Sequence, residues 1–127
     1  MTHPHKIRTG VQRIVDATGY SIAGLSAAWR HESAFRQECA LALLMLPAAW
    51  WVGRNWSEVA LLAGSVMGVL IVELLNSAIE AAVDRVSSEL HPLSKRAKDI
   101  GSAAVMLSLV TCAALWCTAL WQRWVSA

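Results

Sequence analysis

Charge is what this sequence has least of: 16% of its 127 residues are Asp, Glu, Lys or Arg, against about 25% in a typical soluble domain. That shortage excludes an ordinary water-facing surface. An apolar content of 56% and seven tryptophans place the chain among membrane proteins. The basic residues gather in two blocks and leave no broad cationic face, so no nucleic-acid partner is expected. Cysteine is sparse as well. Cys39, Cys112 and Cys117 have neither CxxC spacing nor a histidine ladder beside them, which leaves them as small apolar helix residues. Neither GxxxxGK[ST] nor GxGxxG occurs, which removes both standard nucleotide cradles. The polar, basic start has no cleavable apolar core close behind it, so the spans themselves are expected to do the targeting.

What is present centres on the segment from Val69 to Gly101. Glu73, Asn76, Glu80 and Asp84 run through an apolar stretch that ends at a charged connection. On a helix, offsets of three, seven and eleven residues fall within about 60° of Glu73 and make one polar stripe about 16 Å long. A charge near the middle of a bilayer costs at least about 2.5–3.5 kcal/mol, so such a stripe faces protein or water and signals a function.

Around this stripe the chain reads as a single domain over 1–127. Residues 1–8, with His3 and His5, are expected to be a loose tail. Over 9–29, Val11, Ile14, Val15, Ile22, Leu25 and Trp29 recur at three- and four-residue spacings, the pattern of an amphipathic surface helix with Gly19 and Gly24 as soft points. Three spans follow, at about 34–51, 57–84 and 100–121. Pro47 is expected to kink the first, and Trp50, Trp51 and Trp56 mark its far interface. Gly64 and Gly68 form a small-xxx-small pair that lets another helix approach the second. Leu90 to Lys98 is expected to be a connecting turn broken at Pro92. The fold class is therefore an all-α membrane protein with an N-terminal amphipathic surface helix and three transmembrane helices. Lys6, Arg8, Arg13, Arg30 and Arg36 precede the first span, while Arg85, Lys95, Arg96 and Lys98 lie between the second and third. The positive-inside rule puts the N-terminus and the 85–99 connection in the cytoplasm.

Glu32, Glu38, Glu80, Asp84 and Asp99 gather at that end beside Lys95, Arg96, Lys98 and His91. Carboxylates from two helices next to cations suit Mg²⁺ and a polyphosphate. A proton or ion pathway would place Glu73 and Glu80 in much the same way. Asp84 reads as a partner for Arg85 or for a neighbouring chain's cation.

The run from Glu73 to Arg85, Glu-Leu-Leu-Asn-Ser-Ala-Ile-Glu-Ala-Ala-Val-Asp-Arg, is followed by Arg96-Ala97-Lys98-Asp99-Ile100-Gly101-Ser102-Ala103-Ala104. Together they resemble the signature of the small integral-membrane prokaryotic diacylglycerol kinases. The stretch from Ala27 to Glu38 resembles the Gram-negative branch of that family, and the similarity extends from Arg13 to Trp121. The resemblance implies a homotrimer in the bacterial inner membrane, with composite sites on its cytoplasmic side. Its implied reaction moves the γ-phosphate of ATP to diacylglycerol, giving phosphatidic acid, with Mg²⁺ as cofactor. By position, Glu73 resembles the family's general base, and Asn76 lies one turn from both Glu73 and Glu80, placed to orient them or the substrate. Glu32 and Glu80 match metal-binding carboxylates, Lys98 and Asp99 match residues at the nucleotide, and Glu89 and His91 fall near it. Arg13 and Tyr20 match surface-helix residues that close over it. Ile22, Ala23, Ser26, Pro92 and Lys95 depart from many relatives, although none of these replaces a catalytic group. A kinase of the same architecture acting on undecaprenol is the alternative within this resemblance. A small ion-pathway or assembly protein is the alternative outside it, and it leaves the Lys98–Asp99 cluster unexplained.

Overall fold

The computed structural model describes residues 9–86 and 89–125, and these form four helices: α1 (Gly10–His31), α2 (Ser33–Val52), α3 (Trp56–Val86) and α4 (Pro92–Val125). The tail expected over 1–8, including His3 and His5, lies outside the described residues. No strand occurs among the described residues.

Each helix boundary has a local cause. Between α1 and α2 a single residue, Glu32, is extended, with φ −117° and ψ 103°. Arg36 reaches back across this joint and donates from Nη1 to the carbonyls of Trp29 at 2.7 Å and Arg30 at 3.3 Å. A cation there satisfies carbonyls that the end of α1 leaves without intrahelical partners. Between α2 and α3, Asn55 Oδ1 accepts the Glu58 N–H at 2.9 Å, while Glu58 Oε2 accepts the Arg54 N–H at 2.9 Å. Asn55 thus caps α3, and the Glu58 carboxylate reaches back past the cap to the Arg54 N–H, a variant of the capping box. Arg54 also donates to Gln122 at 2.8 Å, tying the start of α3 to the end of α4.

One expectation changes. Residues 92–98 are the first turns of α4, not a connecting turn. Pro92 occupies the first helical position, where its missing N–H costs nothing and its fixed φ suits the helix. His91 then caps the helix, its Nδ1 accepting the Leu93 N–H at 3.1 Å and its carbonyl accepting the Lys95 N–H at 3.0 Å. Gly19 and Gly24 lie within α1, which runs through both as the expected surface helix does.

Nine buried residues from α2, α3 and α4 form the core: Ala42, Ala49 and Val52, then Leu62, Val66 and Val69, then Cys112, Trp116 and Ala119. Trp116 is the largest side chain of this cluster, and its indole N–H donates to the Leu62 carbonyl at 3.3 Å. The middle helix, α3, packs against both α2 and α4. By contrast α1 stands apart and buries only Ala28. Among the described residues nothing outside the local backbone of α3 comes within 4 Å of a Cβ built on Gly64 or Gly68, so no other described helix packs on this pair.

Both α3 and α4 are long and apolar enough to cross a membrane. Their 31 and 34 residues reach about 46 and 51 Å, beyond a hydrocarbon core of about 30 Å. Their polar ends, carrying Asp84 on one and Lys95 to Asp99 on the other, therefore project past the apolar layer.

Candidate active site

The buried ridge of α3 runs Leu62, Val66, Val69 and then changes chemistry without changing face. Glu73, Asn76 and Ser77 continue it at 6%, 9% and 9% exposure, Glu80 is half-buried, and Asp84 emerges at the end. The polar stripe read from the sequence is thus the core-facing row of α3 extended beyond the core. Glu73 interacts electrostatically with Glu80 and with Glu32, and Glu38 interacts with Glu73. Carboxylates gathered this way repel one another unless a cation is shared among them.

Asn76 sits inside this group. Its Nδ2 donates to Glu80 Oε1 at 3.3 Å, whereas its Oδ1 is buried without a hydrogen-bond partner. Glu38 Oε2 is buried in the same condition, at the edge of a cavity of about 60 Å³ with Met45, Leu109 and Cys112. Sequence reasoning placed Glu38 only at a membrane boundary. Its signal was an acidic residue at the entry to an apolar run, yet the buried oxygen depends on how α2 meets α3.

The cationic half of the site comes from α4. Lys98 Nζ lies 2.6 Å from Asp84 Oδ1, and Lys95 Nζ lies 2.6 Å from Asp99 Oδ2. Within the chain Asp84 pairs with Lys98 and not with the expected Arg85. Adjacent residues point about 100° apart on a helix, so Asp84 shares the Glu80 face and meets α4. Both lysines precede the apolar part of α4, and hydrogen bonds to their acidic partners raise their pKa values above the usual lysine range. A cavity of about 190 Å³ is lined by Asp84, Glu89, His91, Lys95, Lys98 and Asp99. This brings together four residues that the resemblance places at or near the nucleotide.

A larger cavity of about 650 Å³ opens between α1 and α3, walled by Leu25, Ala28, Leu74 and Ala78, with Glu32 and Ser77 also on its lining. Glu73, Asn76 and Glu80 line neither cavity and lie on the buried or half-buried row of α3. Arg13 and Tyr20 are exposed on α1 and are not among the residues lining either cavity.

The donor set suits a hard divalent cation held jointly with phosphate oxygens, since Mg²⁺ takes one or two carboxylates and fills its shell with substrate and water. Glu32 and Glu80 are two carboxylates that both act on Glu73, and Asn76 turns its NH₂ group, not its unpaired oxygen, towards Glu80. No group of three or more His, Cys, Asp or Glu forms a metal cage among the described residues.

Comparisons with known proteins agree in direction. A family model described as prokaryotic diacylglycerol kinase matches residues 19–120. A diacylglycerol kinase of Escherichia coli K12 is 52% identical over 115 residues, covering 91% of this chain and 94% of the relative. One from Pseudomonas aeruginosa is 52% identical over 117 residues, covering 92% and 95% respectively. A Haemophilus influenzae diacylglycerol kinase is 44% identical over 108 residues, covering 85% and 92%.

Proposed function

The chain belongs to the prokaryotic diacylglycerol kinase family, and on that premise we propose that it transfers the γ-phosphate of ATP to the free hydroxyl of diacylglycerol. The observation that carries the mechanism is the electrostatic group of Glu73 with Glu80 and Glu32, in which Asn76 donates to Glu80 and Glu32 lines an apolar cavity, together with a lysine-lined cavity at the start of α4. A lipid alcohol is a weak nucleophile. Glu73, buried on the α3 ridge, accepts the hydroxyl proton as the phosphoryl group moves, the role of a general base. The cavity between α1 and α3 suits the glyceride's apolar body, with Glu32 marking the polar end where the hydroxyl sits.

Lys98, Asp99, Glu89 and His91 bind ATP in the smaller cavity, where lysine charge offsets that of the polyphosphate. Arg13 and Tyr20 close over the nucleotide from the surface helix. Glu32 and Glu80 would hold Mg²⁺, which supplies charge neutralisation at the phosphates when bound. Asn76 orients Glu80. Three spans per subunit, with α2 as the first of them, and a homotrimer with composite sites complete the reading. The chain lies in the inner membrane with its N-terminus and site on the cytoplasmic side, as the placement of Lys and Arg supports.

Incubating the protein in mixed micelles with γ-³²P-ATP and either diacylglycerol or undecaprenol tests the acceptor. Label in phosphatidic acid is expected, and EDTA is expected to abolish it until Mg²⁺ is restored. Label confined to the polyprenol would retain the mechanism and change the substrate.

A further inference from the structure

Two buried or half-buried glycines in this chain are glycines for different reasons. A Cβ on Gly53 would strike Val59, meeting its backbone nitrogen at 2.8 Å and its Cγ2 at 2.6 Å. Backbone cannot step aside, so Gly53 is a packing requirement of the α2–α3 connection. Gly101, buried on the first apolar turn of α4, faces a different neighbour. The three heavy atoms nearest to a Cβ built there all belong to the Asn76 side chain: Oδ1, which it would overlap, Cγ at 3.3 Å and Cβ at 3.9 Å. The main chain of α3 stands no closer. The missing methyl group therefore leaves a notch filled by the end of a side chain, and a side-chain end can rotate away cheaply.

That notch holds an amide with little else to hold it. Among the described residues Asn76 Oδ1 has no hydrogen-bond partner, and the amide's hydrogen bond runs from Nδ2 to Glu80 Oε1 at 3.3 Å, a long contact. The terminal torsion of asparagine is broad and roughly two-fold, so one long hydrogen bond sets its orientation poorly. The notch in α4 at Gly101 holds the amide plane, and the Glu80 carboxylate, which accepts only, selects the turn that puts the NH₂ group towards it and the oxygen against α4. We propose that Gly101 is a positioning residue of the active site, acting through the Asn76 amide on the Glu80 carboxylate. Its role is to orient a polar group, and helix packing does not require it. The inference rests on the reading of Glu80 as a cation-holding carboxylate, since that is where the orientation takes effect.

The chain contains two asparagines, Asn55 and Asn76, so full-length protein labelled with ¹⁵N-asparagine in micelles shows two side-chain NH₂ pairs. Asn55, at the opposite end of α3, serves as the control. In the native background Glu80→Gln is expected to shift the Asn76 pair. In Gly101→Ala the pair moves to a new position, Glu80→Gln shifts it no further, and the Asn55 pair stays in place. Gly101→Ala should also raise the Mg²⁺ concentration for half-maximal activity about 10- to 100-fold, as loss of a ligand-orienting contact does. Adding Gly101→Ala to Asn76→Ala should change that value less than about twofold, because the two act through one link. A native Asn76 spectrum in Gly101→Ala overturns the proposal, and so do independent, multiplying losses in the double variant. Should Gly101→Ala fail to fold even when Asn76→Ala makes room, the glycine serves backbone packing and the proposal falls. A displaced Asn76 pair with an unchanged Mg²⁺ requirement supports the positioning role and contradicts the assignment of Glu80 as a cation ligand.

Discussion

Lys98 shows how a charged side chain can serve the site while adding little to the fold. Its partner Asp84 is 64% exposed, and exposed ion pairs are screened and weak. Replacing Lys98 with Ala is therefore expected to leave the unfolding midpoint unchanged while raising the KM for ATP by tenfold or more, measured by initial rates across ATP concentrations. A fall in stability with KM unchanged would mean that the pair is structural. The stripe from Glu73 to Asp84 was legible in the sequence because helical periodicity alone puts these residues on one face. The Asp84–Lys98 pair and the seat of Asn76 against Gly101 were not legible. Both depend on the register between α3 and α4, which no spacing within one helix encodes. Glu38 was legible as a boundary carboxylate, but the burial of its Oε2 was not, for the same reason.

At the level of the helices, the boundaries are set by short-range chemistry that a sequence does carry. Asn55 and Glu58 mark the start of α3, and Arg36 closes the end of α1. The beginning of α4 was misjudged because proline both ends helices and opens them, and the His91 cap that decides between these roles is a side-chain contact. Gly53→Ala is expected to destabilise the protein by about 1–3 kcal/mol, since the added methyl meets main chain and the connection must shift. Gly19→Ala, with open space around it on α1, should be neutral or stabilising by up to about 1 kcal/mol. Thermal or denaturant unfolding of the two variants side by side checks both. An equal response at the two positions would contradict the packing described at Gly53.

Taken whole, the chain has an apolar exterior on α3 and α4 and a polar site at one end. The single chain leaves Arg13 and Tyr20 off both cavities and no other described helix on Gly64 and Gly68, features that the proposed composite site in a homotrimer would account for. The overall helical architecture was legible because composition and hydropathy determine it. The assembly was not, because surfaces that meet another copy look like lipid-facing ones. A cysteine placed at Lys95 in a background lacking Cys39, Cys112 and Cys117 should react with a membrane-impermeant maleimide only when the cytoplasmic face is open. The same experiment at Arg54 should show the opposite preference, and reversed labelling would invert the proposed orientation. The central claim is that a buried carboxylate on α3 removes the lipid's proton during transfer. Its most direct test is the single-turnover rate of γ-³²P transfer to diacylglycerol by native protein and by Glu73→Gln, with folding and ATP binding measured in parallel. A loss of about 10²- to 10⁴-fold in that rate, with fold and nucleotide affinity intact, is the result expected of a missing general base; transfer at the native rate by Glu73→Gln would contradict it.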